Sequence, residues 1–252
     1  MRTKKIIEYI FGKLSLEIIP RWRINSFLLS RRMKRIIEEY NIDLIIDVGA
    51  NRGQYAEFLR NEVQYKGLII SFEPDPTNCS ILKKSRDGDN QWLLMDYALG
   101  KEDDRLNLNI MESSLFNSFL TPDNSNTNQF KNQNAVNRTI EVPVKRLDNV
   151  LHDLRKSLKF ERAFLKLDTQ GFDLEVFSGA SRSLDIILGV QTEVSVLPIY
   201  QNMPCLEESL SFFKAKGFQV SGFYPVDESR FPHAVEFDCI LLPTETQHSI
   251  AT

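Results

Sequence analysis

Cysteine and histidine are both scarce in this chain of 252 residues. The three cysteines, Cys79, Cys205 and Cys239, are odd in number and far apart. That excludes a disulfide framework and a cysteine-built zinc site, and it predicts a reducing compartment. The three histidines, His152, His233 and His248, leave little choice if one of them is to act as a base. No apolar run is long enough to cross a bilayer, no secretory signal is read, and no segment repeats. The expected location is therefore the cytoplasm.

What is present is the bulk of an ordinary globular domain, with 42% hydrophobic residues, enough to cover one core. The net charge of −3 hides an asymmetry. Residues 1–37 hold ten Lys/Arg and two Glu, a net of +8, which leaves 21 basic and 32 acidic residues, a net of −11, for the rest. Within the basic part, Ile6, Ile7, Ile10, Phe11, Leu14 and Ile18 recur at helical spacing up to Pro20, and a second amphipathic stretch runs from Ile24 to Tyr40. The expected organisation is a basic helical leader over residues 1–40 and one domain over 41–252. The leader is expected to lie on the domain as a lid. The alternative is peripheral contact of residues 1–37 with a partner or the inner membrane surface. Nucleic acid is not an expected partner, because the remaining domain is acidic and lacks interleaved aromatic and basic residues.

The domain is organised around Ile45-Ile46-Asp47-Val48-Gly49-Ala50-Asn51-Arg52-Gly53-Gln54-Tyr55. An apolar run stops at Gly49 and Gly53 and passes into helical spacing, the pattern of a buried strand, a tight turn and a helix start. Such a turn brings backbone close to a ligand, and the free N–H groups opening the helix can hold an anion. The next apolar strand, from Gly67, ends at Glu73-Pro74-Asp75, where a carboxylate can accept ribose hydroxyls. A dinucleotide fingerprint would read G-x-G-x-x-G, whereas this chain has Asp47-x-Gly49-x-x-x-Gly53. An acid ahead of the turn suits a cationic ligand better than a pyrophosphate.

Further along, Pro76 to Ser85 reads as a helix capped by Asp75, and Gln91 to Ala98 as a third strand ending near Asp96. Strands are expected at 104–111 and 139–144, flanking a polar loop from Ser113 to Arg138. Arg162 to Asp168 and Ile186 to Glu193 read as two more acid-tipped strands, and 218–224 with 235–242 as a closing antiparallel pair. Alternating strands and helices argue for a mostly parallel sheet covered on both faces, with a ligand crevice at the carboxyl ends of its strands. Asp47, Glu73, Asp96, Asp168 and Glu193 all fall on that rim.

These residues resemble the class I S-adenosylmethionine (SAM) methyltransferases and, within them, the FkbM family. Leu165-Lys166-Leu167-Asp168-Thr169-Gln170-Gly171-Phe172-Asp173-Leu174-Glu175-Val176-Phe177-Ser178-Gly179-Ala180 is similar to that family's second signature. Thr192-Glu193-Val194-Ser195-Val196-Leu197-Pro198-Ile199-Tyr200 is similar to a third. The likeness covers residues 40 to 242. It implies a Rossmann-like α/β fold, a mostly parallel seven-stranded sheet with helices on both faces and a C-terminal antiparallel hairpin. It also implies SAM as cofactor, held by Asp47, Gly49, Asn51, Gly53, Tyr55, Glu73, Pro74, Asp75, Asp96, Ala98, Ser113 and Ser114. The implied reaction is O-methylation of a sugar, glycolipid, polysaccharide or secondary-metabolite hydroxyl.

An alcohol acceptor must lose a proton, which calls for a base or a metal. Asp168 is the first candidate for that role, Glu193 the second and His233 the third. The acids fit metal ligation, base catalysis or hydrogen bonding equally well. Two other functions fit the same residues, a nicotinamide-dependent oxidoreductase and a non-catalytic SAM-fold binding module.

Overall fold

The structure is a computed structural model, and it describes residues 19–20, 23–226 and 233–244. The apolar stripe expected from Ile6 to Ile18, Trp22 and His248 lie outside the described residues.

Helix α1 (Ile24–Tyr40) ends where Asn41 takes a left-handed conformation and returns its N–H to the Ile37 carbonyl. Its inward side buries Met33 and Ile36 against Ala56 and Leu59. The chain then enters β1 (Leu44–Val48), all five residues of which are buried. That is the burial of an interior parallel strand, and it explains an apolar run interrupted only by Asp47. After the glycine turn come α2 (Gln54–Phe58) with a π-helical turn (Leu59–Val63), β2 (Leu68–Phe72), α3 (Pro76–Ser85) and β3 (Trp92–Met95). Next follow β4 (Ala98–Gly100), β5 (Asp104–Met111), β6 (Val136–Arg146), α4 (Leu147–Leu154), β7 (Ala163–Leu167) and α5 (Asp173–Ser178). The last elements are β8 (Ile187–Ser195), α6 (Leu206–Ala215), β9 (Phe218–Pro225) and β10 (Glu236–Pro243).

Seven of these strands form one sheet in the order β3-β2-β1-β7-β8-β10-β9. Strands β3, β2, β1, β7 and β8 run parallel, and β10 is antiparallel to both of its neighbours. On one face Ile45, Ile69, Phe164 and Ile240 pack against α1, α2 and α3. On the other, Leu44, Ile46, Leu165 and Leu167 pack against α4, α5 and α6, with Phe177 meeting Phe213 edge-on at 4.9 Å. This is the doubly covered, mostly parallel sheet that the alternation predicts.

Two local expectations change. The third strand stops at Met95, and Ala98–Gly100 belongs to a separate sheet, β4-β6-β5, because Ala98 pairs with Val144. The segment between β5 and β6 is packed rather than free. Phe116 and Phe130 are buried with Tyr200, Met203 and Val235, and bridges join Asn109 to Ser118 and Pro122 to Tyr200. Among the described residues no helix is long and apolar enough to cross a membrane.

Candidate active site

The carboxyl ends of the parallel strands open onto a cavity of about 520 Å³. Its wall includes Gly49 and Asn51 of the β1 turn, Glu73 and Pro74 after β2, Ala98, Ser114, Tyr55, Lys166, Asp168 and Gln170. Of the residues expected at the cofactor or the acceptor, Gly49, Asn51, Tyr55, Glu73, Pro74, Ala98, Ser114 and Asp168 therefore share one space.

The turn itself is tightly specified. Gly49 has φ +78°, and a Cβ there would sit 1.9 Å from the Asp168 carbonyl oxygen. Gly53 has φ +95°, and its Cβ would press on the Trp92 ring at 2.8 Å. Only glycine fits either position. The N–H groups from Gly49 to Gly53 are all engaged. Gly49 and Ala50 donate to the Phe72 carbonyl, Asn51 to Glu73 Oε2, Arg52 to Gln54 Oε1 and Gly53 to the Ala50 carbonyl. The N–H groups expected to hold an anion are those that open the helix, from Gln54 to Ala56, and they follow these engaged ones.

Glu73 is buried, with Oε2 accepting the Asn51 N–H at 2.8 Å and Oε1 the Asp75 N–H at 2.8 Å. Burial pushes its pKa up to about 7, and these N–H donors restrain the rise. Asn51 has φ 49°, and its amide donates to the Ser114 carbonyl at 2.9 Å while the Ser114 hydroxyl returns a bond at 3.2 Å. The β1 turn is so clasped to the segment after β5.

Beneath the turn runs a buried polar row. Ser71, Asp47, Lys166 and Gln191 are register partners on β2, β1, β7 and β8, so their side chains share one face. Trp92 Nε1 donates to Ser71 Oγ, which donates to Asp47 Oδ2, both at 2.9 Å. Lys166 Nζ donates to Asp168 Oδ2 at 2.9 Å and stands 3.9 Å from Asp47 Oδ1. At the far end Tyr55 donates to Gln191 Oε1 at 2.8 Å, and Gln191 Nε2 to Asp238 Oδ1 at 3.0 Å. Asp47 is fully buried and does not line the cavity, and its Oδ1 has no hydrogen-bond partner. Burial raises its pKa despite Lys166, because 3.9 Å is too far for a compensating hydrogen bond. Lys166 is itself desolvated, yet Asp168, Asp47 and Asp238 outweigh that and hold it charged beyond the usual lysine range.

On the other side of Asp168, the Gln170 amide bridges two acids. Its Nε2 donates to Asp168 Oδ1 at 3.2 Å and to Glu193 Oε2 at 2.9 Å. Glu193 does not line the cavity but reaches it through this amide. Its pKa is pushed well up by burial and then by Glu236, Asp168, Asp238 and Asp173. Asp238 stands directly across from Glu193 in the β8–β10 pairing.

The remaining expected residues stand elsewhere. Asp75 is buried as the cap of α3, accepting the Thr77 N–H at 2.9 Å. Asp96 is exposed beyond β3, Ser113 sits at the start of the turn that carries Ser114, and His233 is exposed. None of these three, nor Gly53, lines the cavity. Lys166, Gln170, Gln191 and Asp238 were not singled out from the sequence as site residues. The Lys166-x-Asp168 spacing was the available signal, since residues two apart in a strand share a face.

The family profile described as the Methyltransferase FkbM domain matches residues 47–220, most of the chain. The chain belongs to the FkbM methyltransferase family. A crystal structure of an FkbM methyltransferase from Methylobacillus flagellatus KT is similar to it, with a TM-score of 0.50 at 15% identity over 80% of this chain. This chain spans 43% of that structure's chain. A second similar structure is the magnesium protoporphyrin IX methyltransferase of Synechocystis PCC 6803 with bound SAM, with a TM-score of 0.47 at 9% identity. It is covered to 81% and covers 88% of this chain. No curated protein matches the sequence. The fold is thus the Rossmann-like class I methyltransferase fold, and the cavity stands at the crevice where open α/β sheets take their ligands. Among the described residues, no three His, Cys, Asp or Glu side chains group so as to hold a metal ion.

Proposed function

We propose that this FkbM chain is a SAM-dependent O-methyltransferase acting on a hydroxyl of a sugar-containing or secondary-metabolite acceptor. The observation that carries the cofactor is the pair of carboxylates, Glu73 and Asp168, that face the cavity beside the glycine turn. The turn's N–H groups from Gly49 to Gly53 are engaged, and Glu73 and Asp168 face the cavity, where carboxylates suit ribose hydroxyls and a cationic ligand better than a pyrophosphate. This favours SAM over a nicotinamide dinucleotide. The residues fit it in a further way, because the glycines keep the turn clear of side chains. Glu73 would take ribose hydroxyls on its remaining lone pairs, with Gly49, Asn51, Ala98 and Ser114 around it.

When bound, SAM supplies a methyl group on a sulfonium, whose displacement by a hydroxyl oxygen releases a neutral thioether and leaves a proton for the protein to take. Asp168 is the proton acceptor in this reading. Lys166 and Gln170 each hold one of its oxygens and keep the carboxylate aimed. Glu193 is tied to Asp168 through the Gln170 amide, whose Nε2 donates to both acids and so fixes their relative positions. The test is incubation with methyl-labelled SAM and a fractionated cell lysate. Transfer of label by wild type, lowered about a hundredfold in Asp168→Asn with SAM affinity within a few-fold, is expected. An Asp168→Asn variant that transfers label at the wild-type rate would remove Asp168 from this role.

A further inference from the structure

Among the described side chains, the exposed positions of α1 up to residue 35 are Ile24, Leu28, Arg31, Lys34 and Arg35, three or four residues apart except for the last pair, so they form one stripe. Ile24 is 44% and Leu28 58% exposed, one turn apart, and the three cations follow directly. No acid occurs in α1 before Glu38. The Arg35–Glu39 pair farther along is itself exposed, and a pair of that kind counts for little. The same helix has a second role on its inner side, where Ser26 and Leu29 line the cavity. The same cavity is lined by Leu115, itself 58% exposed.

We propose that α1 docks on an anionic lipid surface, and that the methyl acceptor is held in that surface and enters between α1 and Leu115. Charge complementarity selects the occupant. A basic, apolar-tipped stripe stands out from a chain whose residues after 37 carry a net of −11, so an anionic interface attracts this side and repels the rest. Ile24 and Leu28 would enter the headgroup boundary while Arg31, Lys34 and Arg35 meet lipid phosphates. Continuity with the cavity makes the contact useful, because the docked helix is also a wall of the site. The docking half is independent of the methyltransferase reading, and the acceptor half rests on it.

The test is flotation of the full chain with vesicles of phosphatidylcholine alone and mixed with phosphatidylglycerol, at low and high salt. Wild type should float only with the anionic vesicles and less at high salt. Ile24→Glu with Leu28→Glu should weaken this about tenfold or more, and Arg31, Lys34 and Arg35 changed to Glu should abolish the anionic preference. Calorimetric SAM affinity unchanged in both variants would show that they are folded and that docking alone was lost. Absence of wild-type binding, binding retained by the Ile24/Leu28 variant, or a wild-type dimer that this variant dissolves would each overturn the docking. Methyl label from SAM should partition into a lipid extract of membranes. Label found only in water-soluble products would overturn the acceptor half while leaving the methyltransferase reading intact.

Discussion

Lys166 Nζ donates to Asp168 Oδ2 at 2.9 Å across a two-residue step at the end of β7, and so sets a buried cation against the proposed proton acceptor. The same ammonium is the charge nearest to fully buried Asp47. Two carboxylates thus depend on one lysine.

Lys166→Met should therefore be costly out of proportion to its size. It leaves Asp47 and Asp168 without their cation, and breaking such a buried arrangement from one side costs roughly 3 kcal/mol or more. Chemical denaturation of wild type and variant would measure it. A loss below about 1 kcal/mol, the scale of a surface pair, would mean that the acids are protonated or otherwise paired at rest.

Gln170 offers a contrast in charge at nearly constant shape. Gln170→Glu puts a third carboxylate between Asp168 and Glu193, so its folded pKa lies above the unfolded value. The protonated variant is tolerated at low pH, and stability is lost as pH rises through that folded pKa. Thermal unfolding should show a deficit relative to wild type that grows from pH 5 to pH 8, reaching about 1–3 kcal/mol. A deficit equal at both pH values would mean that Gln170 acts by shape alone.

Asp238 carries a similar prediction with the opposite outcome for its variant. Burial raises its pKa from 3.8 to about 6, so the wild type loses stability as pH rises across that window. Asp238→Asn keeps an acceptor for Gln191 and removes the titration. The variant should be more stable than wild type at pH 8, by about 1–2 kcal/mol after allowing for the partial exposure of the site, and the gap should close towards pH 4. A variant less stable than wild type at pH 8 would show that Asp238 is paired with a cation more strongly than the geometry indicates.

Much of this site was legible in the sequence because the signals are local. The apolar run of β1 around Asp47, the two glycines and the acid after β2 can all be read along a few residues. The Lys166–Asp168 pair was available in the same way, through strand alternation. Gln170, Gln191 and Asp238 were not, because their roles come from the pairing of β7, β8 and β10, which joins residues far apart in the chain. Asp75 could be read as cap or ligand from spacing alone, and the bond from the Thr77 N–H shows it to be the cap. The five-acid rim likewise separates by depth. Asp47 is buried beneath the turn, Asp96 is out in solvent, and Glu73 and Asp168 face the cavity. Between β5 and β6 the many asparagines suggest an open loop, and the two phenylalanines that anchor it are too few to form a periodic signal.

The most direct test of the account is calorimetric titration of SAM into wild type and Glu73→Ala, with NADH titrated in parallel. The account predicts saturable, one-site binding of SAM to wild type and none of NADH. It also predicts a loss of roughly ten- to a hundredfold in SAM affinity when the Glu73 carboxylate is removed, the equivalent of 1.5–3 kcal/mol for a charged contact. Unchanged SAM affinity in Glu73→Ala, or NADH binding in place of SAM, would contradict it.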